Sequence, residues 1–250
     1  AEDAGVAAAS EAAQAAEAAC QRAARNVSYL SLGASLAAAA AGLGVGIADA
    51  ELALVGFGME ASLDALSSAL VIWRFKKPKM RHHEDQEAAM RFKAARDLRR
   101  ERNSSVGIGV TFVFSSVVLM FSALVKFLTF DAKDAHRVAE ERDGANWSLI
   151  LSLPSAVVFG LLAHRKFALS KALGSQVLRQ DALCSVLGAS LAAIVAAAGF
   201  FEEVSGNVES MAIVDSVASI IIGLILLVEG LRTLRHNLGA GWQQEHHEMA

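Results

Sequence analysis

Apolar residues in this chain form six long runs, and most charged residues lie in the segments between them. A membrane-spanning α-helix needs about 20 mostly apolar residues, with about 17 as a lower bound. The runs meet this requirement at residues 27–48, 50–73, 106–130, 147–163, 181–201 and 211–231. The pattern therefore predicts an all-α, polytopic membrane protein, with a six-helix transmembrane domain at residues 27–236.

The two ends of the chain lie outside these runs. Residues 1–26 are rich in Ala, the best helix former, with acidic residues early and arginines late. We expect a cytosolic helical tail there, either solvated or packed as a cap on the bundle. Residues 237–250 are predicted to form a short cytosolic tail. The acidic N-terminus is unlike the basic leader and short apolar core of a secretory signal.

The composition agrees with a membrane protein, because 54% of the 250 residues are hydrophobic and the mean hydropathy is +0.40. The lipid bilayer is the expected partner, and no nucleic acid is expected. Cys20 lies in the Ala-rich tail and Cys184 inside an apolar run, so we expect no disulfide between them. The sequence has no nucleophile–base pair, phosphate-binding loop or HExxH motif, so it predicts no enzymatic activity.

Charge in the connecting segments predicts the orientation. The segments after the second, fourth and sixth runs are rich in Lys and Arg, whereas those after the first and fifth contain neither. Because positively charged loops stay in the cytosol, both termini are predicted to be cytosolic. On this interpretation Lys166 belongs to a basic cytosolic loop, and Lys126 is the main base inside a span.

Two acids, Glu60 and Asp64, lie near the middle of the second run. Four residues apart, they occupy one face of a helix. An ionisable side chain at the bilayer centre costs roughly 2.5–3.5 kcal/mol. Pairing with bases is the ordinary alternative, but Lys126 is peripheral. We therefore expect the two carboxylates to hold a divalent cation and to exchange it for protons, since ligation requires deprotonated oxygens.

An Asp followed four residues later by Ser recurs in three runs, as Asp64–Ser68, Asp181–Ser185 and Asp215–Ser219. Polar faces avoid lipid, so we expect these faces to line an interior path, in which we single out Ser68, Ser185 and Asp215. From the helix rise, Asp181 is expected about 10 Å nearer the cytosol than Asp64, as an exit ligand or gate. Asp215 is expected near the outer end, where it serves entry or a structural hydrogen bond.

Two further groups bear on the choice of metal. The thiol of Cys184 would favour Zn²⁺ as the cation, whereas oxygen ligands alone suit several metals, including Mn²⁺. His82, His83 and Asp85 are a candidate second metal site in the basic segment after the second run. A solvated charge cluster is the alternative there, and the basic segment could instead bind anionic lipid headgroups.

Residues 51–64 and 215–232 resemble the second and sixth helices of the cation diffusion facilitator family, which transports zinc and manganese. The resemblance puts Glu60 and Asp64 on the two transport-site positions of the second helix. On the fifth helix it puts Cys184 and Gly188 where the family usually has two ligands, so one ligand is changed and one is missing. The short segment after the sixth run resembles short members without the family's C-terminal cytosolic domain.

The resemblance implies a homodimer that moves Zn²⁺ out of the cytosol by alternating access, in exchange for protons. The membrane implied is that of a vesicle or lysosome, or the plasma membrane. Because the fifth helix lacks one ligand, a second hypothesis stays open. On this second hypothesis, the chain is a non-transporting membrane protein that binds zinc and regulates a partner channel or transporter.

Overall fold

The structure is a computed structural model that describes residues 2–48, 52–76, 86–129, 135–205 and 208–239. These residues form six helices and no strand. The helices are α1 (Glu2–Ala48), α2 (Leu52–Arg74), α3 (Gln86–Thr129), α4 (Ala135–Leu173), α5 (Gln176–Ser205) and α6 (Val208–Leu238).

Five of these helices are long and apolar enough to cross a membrane. Their spanning stretches are Glu11–Ala48, Leu54–Arg74, Arg91–Val125, Leu149–Leu173 and Gln176–Ala197. The predicted all-α, polytopic membrane fold is therefore confirmed. The span predicted at residues 211–231 lies in α6, and its crossing of the membrane stays a prediction.

The prediction of a basic loop directly after the fourth run was wrong. Helix α4 continues through this segment to Leu173, and α5 begins at Gln176. Gly174, with φ of 59°, ends α4, and the amide of Ser175 donates to the carbonyl of Ser170 at 3.2 Å, as in a Schellman motif. No proline interrupts the helix after residue 154, so nothing local stops α4 before this glycine.

Helix α1 packs mainly on α2, α3 on α6, and α4 on α5. Glycines allow the first pair to approach closely: a Cβ at Gly58 would lie 2.6 Å from the backbone nitrogen of Leu43. A Cβ at Gly46 would lie 2.6 Å from that of Val55. Small residues promote such contacts between transmembrane helices. As a result, Ser31 and Ser35 of α1 come within hydrogen-bonding distance of Asp64 in α2.

The bundle presents apolar side chains outward and hydroxyl groups inward. On α3 the exposed apolar residues recur every three or four positions, at Val110, Phe114, Val117, Phe121 and Leu124. A lipid-facing surface of a helix has this pattern. The buried polar residues are largely serines, which α1, α2, α3 and α5 all contribute. The interior is therefore polar, as the Asp–Ser pattern predicted.

Candidate functional site

Four charged side chains lie inside the bundle. Among the described residues, Glu60, Asp64, Lys166 and Asp181 are the charged residues that are buried, each at most 3% exposed. Glu60 and Asp64 come from α2, Lys166 from α4 and Asp181 from α5. The expectation that the acids of the second and fifth runs face the interior is therefore confirmed.

Asp64 is held by hydroxyl groups from two other helices. Ser35 and Ser31 of α1 donate to its Oδ2 at 2.5 and 3.4 Å. Ser185 of α5 donates to its Oδ1 at 3.0 Å. Hydrogen bonds to a carboxylate stabilise its charged form and fix its direction. Asp64 is therefore a fixed carboxylate at the junction of α1, α2 and α5.

Glu60 is held on one side only. Ser115 of α3 donates to its Oε2 at 2.5 Å. Its other oxygen, Oε1, is buried and has no hydrogen-bond partner among the described residues. A buried acceptor without a partner is costly, and such atoms in native structures commonly mark a functional position. Oε1 is thus available to a ligand that the protein itself does not supply.

Asp181 and Lys166 form a buried ion pair. The Nζ atom of Lys166 lies 2.8 Å from Oδ2 of Asp181, and both side chains are fully buried. Ser67 and Ser68 of α2 donate to Oδ1 of Asp181 at 2.8 and 3.1 Å. Lys166 also donates to Ser185 at 2.8 Å and to Ser68 at 3.1 Å. Both path serines predicted on α2 and α5 therefore lie in this network.

Lys166 is the residue that the sequence interpretation missed, because it was assigned to a loop and only Lys126 was counted as a base. A signal was present in α4. Its buried positions include Ser152, Phe159, Ala163, Lys166 and Ser170, which share one helix face. Continuing that face beyond residue 163 would have turned Lys166 toward the interior.

Cys184 and Gly188 lie one turn apart on α5. Cys184 is 2% exposed and belongs to an apolar cluster with Phe112 and Leu187. Gly188 is buried, yet a Cβ built on it would meet no atom within 4 Å. Gly188, where the family resemblance implies a ligand that this chain lacks, therefore faces open space inside the bundle.

The candidate ligands do not form one complete metal site here. Within the described ranges, no group of three or more His, Cys, Asp or Glu side chains is arranged to hold a metal ion. The assignment of Glu60, Asp64, Cys184 and Asp181 as ligands stays a prediction. His82, His83 and Asp85 lie outside the described residues, as does the side chain of Asp215, whose backbone belongs to α6.

A cavity of about 770 Å³ lies between α3, α5 and α6. Its lining includes four arginines, Arg102, Arg179, Arg232 and Arg235. We call the end of the bundle that carries these arginines the basic end. Gln180 and Leu183 also line it, and they are the neighbours in sequence of Asp181 and Cys184. The cavity therefore reaches the part of α5 that carries the buried network.

Comparison with known proteins places these helices in a family. The model of the cation efflux transmembrane domain matches residues 99–240, which is more than half of the chain and runs from α3 to the end of α6. Transmembrane protein 163 of Xenopus laevis is 29% identical over 194 residues, which is 78% of this chain and 60% of the relative. The chain thus spans about 60% of the length of that relative. The chain therefore belongs to the family of cation efflux transmembrane domains.

Proposed function

We propose that this protein moves Zn²⁺ out of the cytosol across its membrane by alternating access, in exchange for protons. The observation that carries the proposal is Oε1 of buried Glu60, one helical turn from Asp64, which has no hydrogen-bond partner among the described residues. Two carboxylates on one face neutralise the charge of one divalent cation. The proposal thus accounts for two acids in an interior that would otherwise make them costly.

The proposed first ligands are Glu60 and Asp64, with the thiol of Cys184 as a third. A carboxylate pair alone would serve Mn²⁺ as well as Zn²⁺, whereas a thiolate ligand favours Zn²⁺. Water would complete the coordination in the open space beside Gly188. Because oxygen and sulfur ligands must be deprotonated to bind a metal, release of the ion is coupled to proton uptake.

Access from the cytosol is proposed to run through the basic end. The excess of Lys and Arg there supports a cytosolic location of this end and of both termini. The cavity between α3, α5 and α6 is the proposed entrance, because it is lined by Gln180 and Leu183, the neighbours in sequence of Asp181 and Cys184. Asp215, in the N-terminal part of α6, is the proposed residue at the outer side. Alternating access would close one of these routes while the other is open.

We propose that the transporter is a homodimer in a vesicle, lysosomal or plasma membrane, as the family resemblance implies. Its dimer contact is proposed to use the exposed apolar face of α3, which includes Phe114 and Phe121. His82, His83 and Asp85 remain a proposed second metal site on the cytosolic side.

One observation favours a second function. In the described part of the chain, three metal-binding side chains do not converge, and Gly188 stands where a fourth ligand would be expected. A site with few protein ligands binds its ion more weakly and less selectively. The alternative is a non-transporting protein that binds zinc and regulates a partner channel or transporter.

Zinc uptake into proteoliposomes separates the two functions. The purified full chain is reconstituted with a zinc indicator inside the vesicles, and uptake is followed with and without an imposed pH gradient. The transporter proposal expects uptake that the gradient accelerates and that Zn²⁺ supports better than Mn²⁺. Zinc binding to the purified chain without any uptake would favour the regulatory alternative.

A further inference from the structure

We propose that Lys166 is a resident cation of the bundle that neutralises Asp181. The buried site then keeps a net charge of −2, which one divalent cation balances. This inference rests on the proposed cation site at Glu60 and Asp64. It gives Asp181 a different role from the metal ligand that the sequence suggested. It also assigns a role to Lys166, which does not itself bind the ion.

The formal charges support this role. Glu60, Asp64 and Asp181 contribute three negative charges when ionised, and Lys166 contributes one positive charge. These are the buried charged residues of the described part of the chain, and their sum is −3 + 1 = −2. One divalent cation balances that sum. Without Lys166 the bound site would keep a net negative charge in a medium that strongly disfavours it.

The ammonium group is fully satisfied by the protein. It has three N–H donors and three partners: it forms an ion pair with Oδ2 of Asp181 at 2.8 Å, and it donates to Oγ of Ser185 at 2.8 Å and to Oγ of Ser68 at 3.1 Å. Buried ion pairs persist where such additional hydrogen bonds offset the loss of hydration. Lys166 is therefore held in place, and a mobile cation has no vacant position to fill beside Asp181.

Asp181 is likewise engaged on both oxygens. Oδ2 contacts Lys166, and Oδ1 accepts from Ser67 and Ser68. Glu60 differs, because its Oε1 has neither a hydrogen bond nor an ion pair among the described residues, whereas Oδ2 of Asp181, which also lacks a hydrogen bond there, is in an ion pair with Lys166. The contacts thus favour Asp181 as the counter-ion of Lys166 and Glu60 as a ligand of the transported ion.

Lys166 is also linked to Asp64 through a shared partner, Ser185. An ammonium group can only donate, so Ser185 must accept from it and keeps its own hydrogen for another partner. Oδ1 of Asp64 lies 3.0 Å from Ser185 Oγ and can take that hydrogen. Lys166 is therefore a positioning residue, which acts on Asp64 through Ser185.

The test compares Lys166→Met, Asp181→Asn and the double variant, whose interior formal charges are −3, −1 and −2. Zinc affinity is measured on the purified full chain by competition with a fluorescent indicator. The charge argument predicts binding at least about tenfold tighter for Lys166→Met and at least about tenfold weaker for Asp181→Asn. The double variant should bind within about threefold of the wild type, because its interior formal charge is again −2 and the two opposite effects cancel.

Folding is checked for each variant by size-exclusion chromatography. Each single variant leaves one buried charge unpaired, which destabilises a protein strongly. The double variant removes both charges and decides the question even where a single variant fails to fold. Lys171→Met, which changes an exposed lysine on the same helix, is the control and should bind as the wild type does.

Four results would overturn this role. If both single variants weaken binding, the ion pair supports zinc binding only by stabilising the fold. If the double variant binds weakly, Asp181 is itself a ligand of the ion. If the wild type binds no zinc, the proposed site and this inference fail together. If binding depends on Glu60 and Asp64 but the opposite shifts do not appear, the site stands and only the role of Lys166 is rejected.

Discussion

Ser115 of α3 donates its hydroxyl hydrogen to Oε2 of Glu60 in α2 at 2.5 Å, and Oε1 of the same carboxylate remains without a hydrogen-bond partner among the described residues. The bond links the helix that carries the acid pair to the α3–α6 pair. It holds the carboxylate by one oxygen and leaves the other for an incoming ion.

Ser115→Ala should weaken zinc binding by about threefold to tenfold. The substitution removes the hydroxyl donor that orients Glu60 and leaves a second buried oxygen unpaired, which costs about 1–3 kcal/mol. Affinity is measured on the purified protein by indicator competition. Ser155→Ala is the control, because Ser155 donates only to the carbonyl of Leu151 in its own helix. Unchanged affinity in Ser115→Ala would show that the orientation of Glu60 does not depend on this bond.

Ser185→Ala should lower both zinc affinity and thermal stability. Its hydroxyl group connects Lys166 to Asp64, so the substitution deprives the ammonium of an acceptor and the carboxylate of a donor. The loss of two bonds to charged groups corresponds to about 3 kcal/mol or more. The same helix offers a control in Ser190→Ala, since Ser190 is exposed and donates to the carbonyl of Val186. Equal melting temperatures for the two variants would contradict the network.

Gly188→Asp should add a ligand to the site. A side chain at this position enters open space inside the bundle, one turn from Cys184. A further carboxylate should tighten zinc binding by about tenfold or more and slow zinc release, so that uptake falls while affinity rises. Gly188→Ala, which fits the same space without a charge, should change neither quantity. Weaker binding in a folded Gly188→Asp protein would place Gly188 away from the ion.

Gly58→Ala should destabilise the protein through the contact between α1 and α2. A Cβ at Gly58 would lie 2.6 Å from the backbone nitrogen of Leu43, so the two helices must separate. Overpacking of this kind costs about 1–3 kcal/mol, and it would also draw Ser35 away from Asp64. Thermal unfolding in detergent measures the loss. At Gly44 a Cβ meets no atom within 4 Å, so Gly44→Ala should not lower the melting temperature.

Much of the fold could be predicted from the sequence, because a membrane span is encoded by local composition. The runs containing Glu60 and Asp181 both became helices, and the interior position of their acids followed from the cost of exposing them to lipid. The helix ends were less predictable. Residues 164–173 carry charges typical of a loop, yet α4 continues through them until Gly174.

The site was predicted less completely, because it depends on contacts between helices. Spacing within α2 identified Glu60 and Asp64, whereas the pairing of Lys166 with Asp181 joins residues of two antiparallel helices. The donors to Asp64 come from α1 and α5, more than 25 positions away in either direction. Such partners depend on how the helices pack, and a local pattern does not encode that.

The most direct test of the central claim is zinc uptake by Glu60→Gln and Asp64→Asn in proteoliposomes under an imposed pH gradient. Both substitutions keep the side-chain shape but replace a charged carboxylate ligand by a neutral amide. Uptake should therefore fall to less than about one tenth of the wild-type rate. Asp97→Asn, which changes an acid paired with Arg96 outside the buried network, should transport as the wild type does. Uptake that survives in both variants, from protein that is correctly folded, would contradict the assignment of this acid pair as the transport site.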